Sequence, residues 1–314
     1  MLDLPPQPGP ARDAAIISYI EGGQYETSWS EVTSTSGGHT GTFRVLADAL
    51  KIEGVRITMS AYLEQTVADM VGATLLTTKL ADLIFAQRTL TLSPHTQKPD
   101  ATMVNTAVMI AQSQWIDAQL AAANFSGDGI VSTVGKSWCL SNILVNTPSA
   151  AGRAINYGMH FIGSFLGQTW APSVTLPGVR VVQNPGWAHS PQEVDYSQNC
   201  LLVARTCFVD GVSRDINDIY QDPTLSGLVS AEGPLKVLRQ PGVPVSPFVS
   251  RVPAPCIGPN CPENVVYNPD EGPQTTSIPL VLAGGIALAA TVGGFLGGIA
   301  LLDPKRRLAR RARV

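Results

Sequence analysis

An uncharged apolar segment of 25 residues, Ile278 to Leu302, constrains this chain more than any other feature of its sequence. A helix of about 20 apolar residues spans a hydrocarbon core of ~30 Å. The segment therefore predicts a single transmembrane helix, with a lipid membrane as its partner. Nine prolines lie between Arg239 and Pro273, and this composition predicts that residues 239–277 form an extended proline-rich stalk.

Small residues recur along the predicted helix. They lie four positions apart at Gly285, Ala289, Gly293 and Gly297, with Gly294 and Gly298 beside them. Glycines spaced in this way allow two helix backbones to approach closely. The stripe predicts self-association or packing on a partner membrane helix. The alternative is that membrane helices tolerate glycine in general.

The end of the chain carries six basic residues between Lys305 and Arg313. Basic flanks stay on the cytoplasmic side, so residues 303–314 are expected to be a cytoplasmic tail and the folded domain to be extracytoplasmic. The first residues show no signal-peptide pattern, which leaves three explanations open: an upstream start, a cytoplasmic domain with the tail forced across, or a membrane-containing particle. A bacterial surface-sorting signal is a further interpretation of the tail.

Two cysteines, Cys256 and Cys261, flank a four-residue Ile-Gly-Pro-Asn segment in the stalk. A turn there brings two sulfurs within bonding reach. We expect a disulfide at this pair if the stalk lies in an oxidising compartment.

The composition limits the classes of partner. Charged residues make up 14% of the chain, against about 25% in an average globular protein. Outside the basic tail the chain is acidic, whereas a nucleic-acid surface needs clustered Lys and Arg. We therefore expect no nucleic-acid partner.

The rest of the chain predicts a soluble α+β domain over residues 11–238, after a disordered proline-rich N-terminus at residues 1–10. Ser60 is in position to cap one helix and either Thr77 or Thr78 to cap the next, and another helix is expected to start at Asp100. A Ser/Thr/Gly-rich loop is expected over residues 33–41. Helices are expected mainly in the first half, and antiparallel strands in the second, at residues 130–134, 179–183 and 200–209.

The densest polar cluster, residues 187–198, contains the candidate catalytic pair His189 and Asp195. A carboxylate that orients an imidazole makes it a general base. Cys139 is the candidate nucleophile, and His39 and His160 are weaker candidates. Because the four histidines are scattered singly, the spacing indicates no metal site, and no cofactor is expected. Residues 129–137 miss the phosphate-binding loop pattern by one residue.

Two hypotheses follow. Because no catalytic motif is complete, the first is a membrane-anchored structural or interaction domain at a cell envelope, a surface or a particle membrane. The second is a membrane-anchored hydrolase that uses His189 and Asp195 with Cys139 or a metal. An enzyme of this kind requires these side chains to converge in one pocket.

Overall fold

The computed structural model describes residues 2–132 and 134–245. The stalk beyond Val245, the apolar segment with its small-residue stripe, the Cys256–Cys261 pair and the basic tail lie outside the described residues. The predictions made for them therefore stay predictions. Among the described residues, no helix has the length and apolar character needed to cross a bilayer.

Helices occur along the whole described part of the chain. The α-helices are α1 (Pro10–Glu21), α2 (Ala61–Met70), α3 (Thr78–Ala86), α4 (Thr106–Ala122), α5 (Ile143–Asn146) and α6 (Ile216–Gln221). Single 3₁₀ turns follow at Pro148–Ala150 and Ser226–Leu228.

The strands are mostly short. They are β1 (Trp29–Ser36), β2 (His39–Leu46), β3 (Lys51–Ile52), β4 (Val55–Arg56), β5 (Ala73–Thr77), β6 (Leu90–Thr91), β7 (Val131–Ser132), β8 (Lys136–Leu140), β9 (Ile155–Ile162), β10 (Ala171–Pro172), β11 (Val179–Gly186), β12 (Leu202–Val209) and β13 (Val212–Asp215).

One large mixed sheet organises the domain. Its order is β1-β2-β12-β5-β8-β9-β11-β10, and β13 pairs with β12. Neighbours run antiparallel except β5 and β8, which are parallel with Leu76 opposite Cys139. Two small ribbons, β3-β4 and β6-β7, lie apart from it. Helices α2 and α3 pack on β5, and α3 also packs on β9.

The α+β class is confirmed, but the expected division between a helical first half and a stranded second half is too simple. The sheet begins with β1 and β2, and α6 lies late in the chain. The loop expected over residues 33–41 was wrong, because this segment is the β1-β2 hairpin. Its turn lies at Gly37 and Gly38, which have φ values of 59° and 82°, and its threonines suit a half-buried strand.

The N-terminal residues differ from the expected disorder. Leu4 is buried. The carbonyl of Pro6 accepts a hydrogen bond from the backbone N–H of Thr106 at 3.0 Å, and the carbonyl of Pro5 accepts one from the Thr106 hydroxyl at 2.6 Å. Prolines lack an N–H donor but keep the carbonyl acceptor. The segment therefore caps α4, which begins at Thr106 rather than at the expected Asp100.

The expected helix cap at Ser60 is confirmed, and of the two threonines Thr77 is the second cap. The Ser60 hydroxyl accepts a hydrogen bond from the backbone of Leu63 at 3.2 Å. The Thr77 hydroxyl accepts one from Leu80 at 3.1 Å. Because Thr77 is also the last residue of β5, α3 starts directly at the end of a central strand, and its side chains pack against β9.

Candidate functional site

A buried carboxylate, Asp82 on α3, is the centre of a hydrogen-bond network. Its Oδ1 atom accepts from the hydroxyl of Tyr157 at 2.6 Å and from Nε2 of His160 at 2.7 Å. Its Oδ2 atom accepts from the backbone N–H and the hydroxyl of Thr175, both at 2.7 Å. The Asp82 side chain is 0% exposed. Four donors therefore hold one carboxylate in a single orientation.

The backbone of β9 departs from regular strand geometry at this site. Side chains alternate between the two faces of a strand, so Tyr157 and His160, three residues apart, belong on opposite faces. Between them Gly158 has a φ of 117° and Met159 a φ of 57°. These two residues re-aim the chain so that both side chains reach Asp82. A left-handed methionine costs roughly 1–2 kcal/mol, and such strain concentrates at functional sites.

The His160 imidazole is held on two sides by aromatic rings. Phe85 of α3 stacks on it with ring centroids 5.2 Å apart, and Tyr157 meets it edge-on at 5.3 Å. Together with the bond to Asp82, these contacts fix the plane of the imidazole as well as its position.

The electrostatics assign the protons of the network. Burial alone would raise the pKa of Asp82, but the hydrogen bonds from His160, Tyr157 and Thr175 outweigh it and lower that pKa. Burial and the neighbouring Asp82 raise the pKa of Tyr157, so its hydroxyl stays a neutral donor. Because an ionised Asp82 only accepts hydrogen bonds, Nε2 of His160 carries a proton, and in the neutral tautomer Nδ1 is the nitrogen that lacks one.

A small pocket lies beside the dyad that His160 and Asp82 form. His160 lines it together with two hydroxyl side chains, Ser132 of β7 and Ser137 of β8, and the backbones of Gly135 and Gly158. Of the described residues that line the pocket, the remaining side chains are apolar, and none carries a permanent charge. The pocket measures about 350 Å³ with its mouth, of which about 20 Å³ has room for water, or one to two molecules.

The structure does not bring the expected catalytic pair together. His189 Nδ1 lies 3.0 Å from Oε2 of Glu193. Asp195 instead accepts from Nζ of Lys136 at 3.1 Å and from the backbone of Ser197 at 2.7 Å. Each side chain thus has a local partner of its own.

The candidate nucleophile lies away from His189. The His189 ring meets Trp138 edge-on at a centroid distance of 6.1 Å. Trp138 and Cys139 are adjacent on β8, so their side chains point to opposite faces of the sheet. Cys139 is 1% exposed, and burial, followed by the carboxyl groups of Glu64 and Asp82, raises the pKa of its thiol well above the usual range. A buried, protonated thiol is not a nucleophile.

The other histidines form no shared site with these residues. His39 Nδ1 lies 2.6 Å from Oδ2 of Asp210 on the surface, and His95 Nδ1 lies 2.6 Å from Oε1 of Gln112. Within the described residues, no group of three or more His, Cys, Asp or Glu side chains is placed to hold a metal ion.

Sequence reasoning ranked His160 as a weak candidate and missed Asp82. The two residues lie 78 positions apart, and no local pattern marks a helix aspartate as a histidine partner. The Tyr-Gly-Met-His order of residues 157–160 was a usable signal, because a glycine inside a strand marks a bulge or a close backbone approach.

Comparison with protein family models, with curated proteins and with solved structures found no match to this chain.

Proposed function

We propose that this chain is a hydrolase in which His160, positioned by Asp82, is the general base. The proposal keeps the hydrolase hypothesis but replaces its candidate catalytic residues His189, Asp195 and Cys139. The observation that carries the proposal is the pair of left-handed residues, Gly158 and Met159, that turns His160 onto a buried ionised carboxylate beside a pocket. A histidine needed only for packing requires neither the strain nor the carboxylate.

The chemistry is the hydrolysis of an uncharged carbonyl compound, an ester or an amide. Nδ1 of His160 takes a proton from the attacking oxygen as that oxygen bonds to the carbonyl carbon. The bond from this carbon to the leaving group then breaks, and the imidazolium gives the proton to the leaving group. Asp82 stabilises the imidazolium without being protonated itself.

Among the described residues, two kinds of attacking group are available at the pocket. One is a water molecule, for which the pocket has room. The other is a serine hydroxyl, Ser132 or Ser137, which would form an acyl-enzyme that water then cleaves. Ser132→Ala and Ser137→Ala variants separate the two routes, because a serine nucleophile gives a burst of released alcohol that its alanine variant lacks.

The primary test is esterase activity of the full chain in mild detergent with p-nitrophenyl acetate, comparing wild type with His160→Gln and His189→Gln. Glutamine keeps a donor for Asp82 but is no base. We expect a loss of about 10²–10⁴-fold for His160→Gln and a change of less than twofold for His189→Gln. Equal rates for all three proteins would overturn the proposal and favour the structural or interaction domain.

We also propose that the chain is membrane-anchored through residues 278–302, supported by their length and lack of charge. Alkaline extraction of membranes tests this, since an integral protein stays in the pellet. Release of the wild-type chain into the supernatant would refute the anchor. The small-residue stripe predicts that Gly293→Ile with Gly297→Ile weakens self-association in a membrane reporter assay.

A further inference from the structure

The pocket beside His160 is too small for a substrate of ordinary size. Its space for water, about 20 Å³, admits only the reacting atoms. Drug-sized ligands fill clefts of roughly 300–1,000 Å³. Any substrate processed here therefore keeps most of its volume outside the pocket, on the surface around it.

Residues 162–178, which we term the apolar loop, adjoin the dyad at both ends. The loop begins two residues after His160, at the end of β9. Near its other end the backbone N–H of Val174 donates to the Tyr157 hydroxyl at 2.9 Å, and Thr175 donates to Asp82 at 2.7 Å. The network that orients His160 thus also fixes the apolar loop.

The apolar loop has an unusual surface. Its 17 residues include no Asp, Glu, Lys, Arg or His. It exposes three large aliphatic side chains, with Ile162 at 62%, Leu166 at 62% and Val174 at 42%. Among the described residues these are half of the exposed large hydrophobic side chains. All three belong to one uncharged segment that adjoins the His160 network, and an exposed apolar segment of this kind is a candidate binding surface.

Aromatic contacts within the apolar loop and with Phe161 connect its parts to one another. The indole of Trp170 donates to the carbonyl of Phe165 at 2.7 Å, and the two rings lie 5.7 Å apart. Phe161 packs on both, at 5.6 Å from Phe165 and 6.2 Å from Trp170. A surface held in place by its own aromatic contacts loses little entropy when it binds a ligand.

We propose that the substrate carries a bulky uncharged apolar group next to the scissile carbonyl, as in a medium-chain or long-chain acyl ester, and that this group packs on the apolar loop. The inference rests on the proposed hydrolase function and adds its substrate class. A charged substituent is disfavoured at this position because neither the pocket lining nor the loop offers a charge to pair with it.

The test compares p-nitrophenyl acetate, butyrate and octanoate as substrates of the full chain, with every protein in the same detergent at the same concentration. Each methylene that becomes fully buried raises kcat/KM by about fourfold, so octanoate is expected to exceed acetate by at least tenfold. Ile162→Ser with Leu166→Ser should lower the octanoate-to-acetate ratio about tenfold, whereas a control outside the loop should leave both rates within twofold of wild type. Val212→Ser, at a side chain 55% exposed on β13, is the matched control.

The outcomes separate the two proposals. The proposed substrate class alone is wrong if hydrolysis depends on His160 but shows no chain-length preference. It is also wrong if the loop variants lower the hydrolysis rates of all three esters equally. If the wild-type protein hydrolyses the esters no faster than His160→Gln does, the hydrolase proposal is wrong. If the loop variants leave the ester ratio unchanged but abolish self-association in light scattering, the apolar loop is an interface between copies of this chain. Val174→Ser gives a second, milder variant for the same comparison.

Discussion

Tyr157 and His160 donate to the same carboxylate oxygen of Asp82, at 2.6 and 2.7 Å, although they lie three residues apart on one strand. Regular β geometry cannot produce this arrangement. It exists because two consecutive residues, Gly158 and Met159, adopt positive φ. The rest of the domain must stabilise this strained conformation, which lies at the candidate site.

Replacing Asp82 with asparagine is expected to lower activity by about 10²-fold or more. The carboxamide has nearly the same shape, but its NH₂ group cannot accept the hydrogen bonds that Oδ1 or Oδ2 accepts. When the amide nitrogen faces His160, the proton moves from Nε2 to Nδ1. Ester hydrolysis measures the loss, and ¹⁵N NMR of the imidazole measures the tautomer. A full loss of activity with the tautomer unchanged would contradict the positioning role.

Alanine at Gly158 is expected to destabilise the domain by about 1–3 kcal/mol, because residues other than glycine rarely adopt its φ of 117°. Activity should fall further than the unfolded fraction explains, since His160 is re-aimed. Urea unfolding measures the stability. Gly186→Ala on the neighbouring strand β11 is the control, because its φ is ordinary and the new Cβ comes closest to the flexible end of Gln183, at 3.1 Å, with the backbone oxygen of Asn184 at an ordinary contact distance of 3.5 Å. If the two alanine variants lose the same free energy of unfolding, the β9 backbone is not strained.

Sequence reasoning succeeded where the signal is local. The caps at Ser60 and Thr77 depend on residues within a few positions, so propensity alone locates them. It failed for the β1-β2 hairpin, where Ser, Thr and Gly resemble a loop until the partner strand is known. The candidate site could not be predicted from the sequence for a related reason. His189 and Asp195 are close in sequence but bind other groups, whereas Asp82 and His160 meet only through the packing of α3 on β9.

A buried ion pair gives a prediction about stability that is independent of function. The Arg56 guanidinium donates to Asp48 through Nε at 2.8 Å and Nη2 at 2.7 Å, and to Asp117 at 2.6 Å. Without the guanidinium, the buried Asp48 keeps an ionic partner, Lys51, whose Nζ lies 3.1 Å from Oδ2. Breaking a buried pair costs about 3–5 kcal/mol, so Arg56→Met is expected to cost about 3 kcal/mol in urea unfolding, at the lower end of that range.

The matched control is Arg205→Met. Arg205 pairs with Asp215, and both side chains are about 40% exposed, at 42% and 38%. An exposed pair contributes about 0–1 kcal/mol. If the two methionine variants lose the same stability, burial does not determine the contribution of Arg56.

We expect Glu64 on α2 to make the stability of the domain depend on pH. Its side chain is 0% exposed, and burial raises its pKa well above the usual range. In the unfolded chain a glutamate titrates near pH ~4.3, so above that pH the folded state holds a proton that the unfolded state releases. The stability from this group is complete below the unfolded pKa and is lost as pH rises towards the folded pKa, at up to ~1.4 kcal/mol per pH unit.

Glu64→Gln keeps the size of the side chain and removes the titration. We expect urea unfolding of the full chain in mild detergent to show wild-type stability falling between pH 5 and pH 8, and the glutamine variant losing less over the same range. The variant should therefore be the more stable protein at pH 8. The control is Glu21→Gln at the exposed end of α1, which should leave the pH dependence of wild type unchanged. A Glu64→Gln variant that is less stable than wild type at pH 8 would mean that folding favours the ionised carboxylate, and that the pKa of Glu64 is lowered rather than raised.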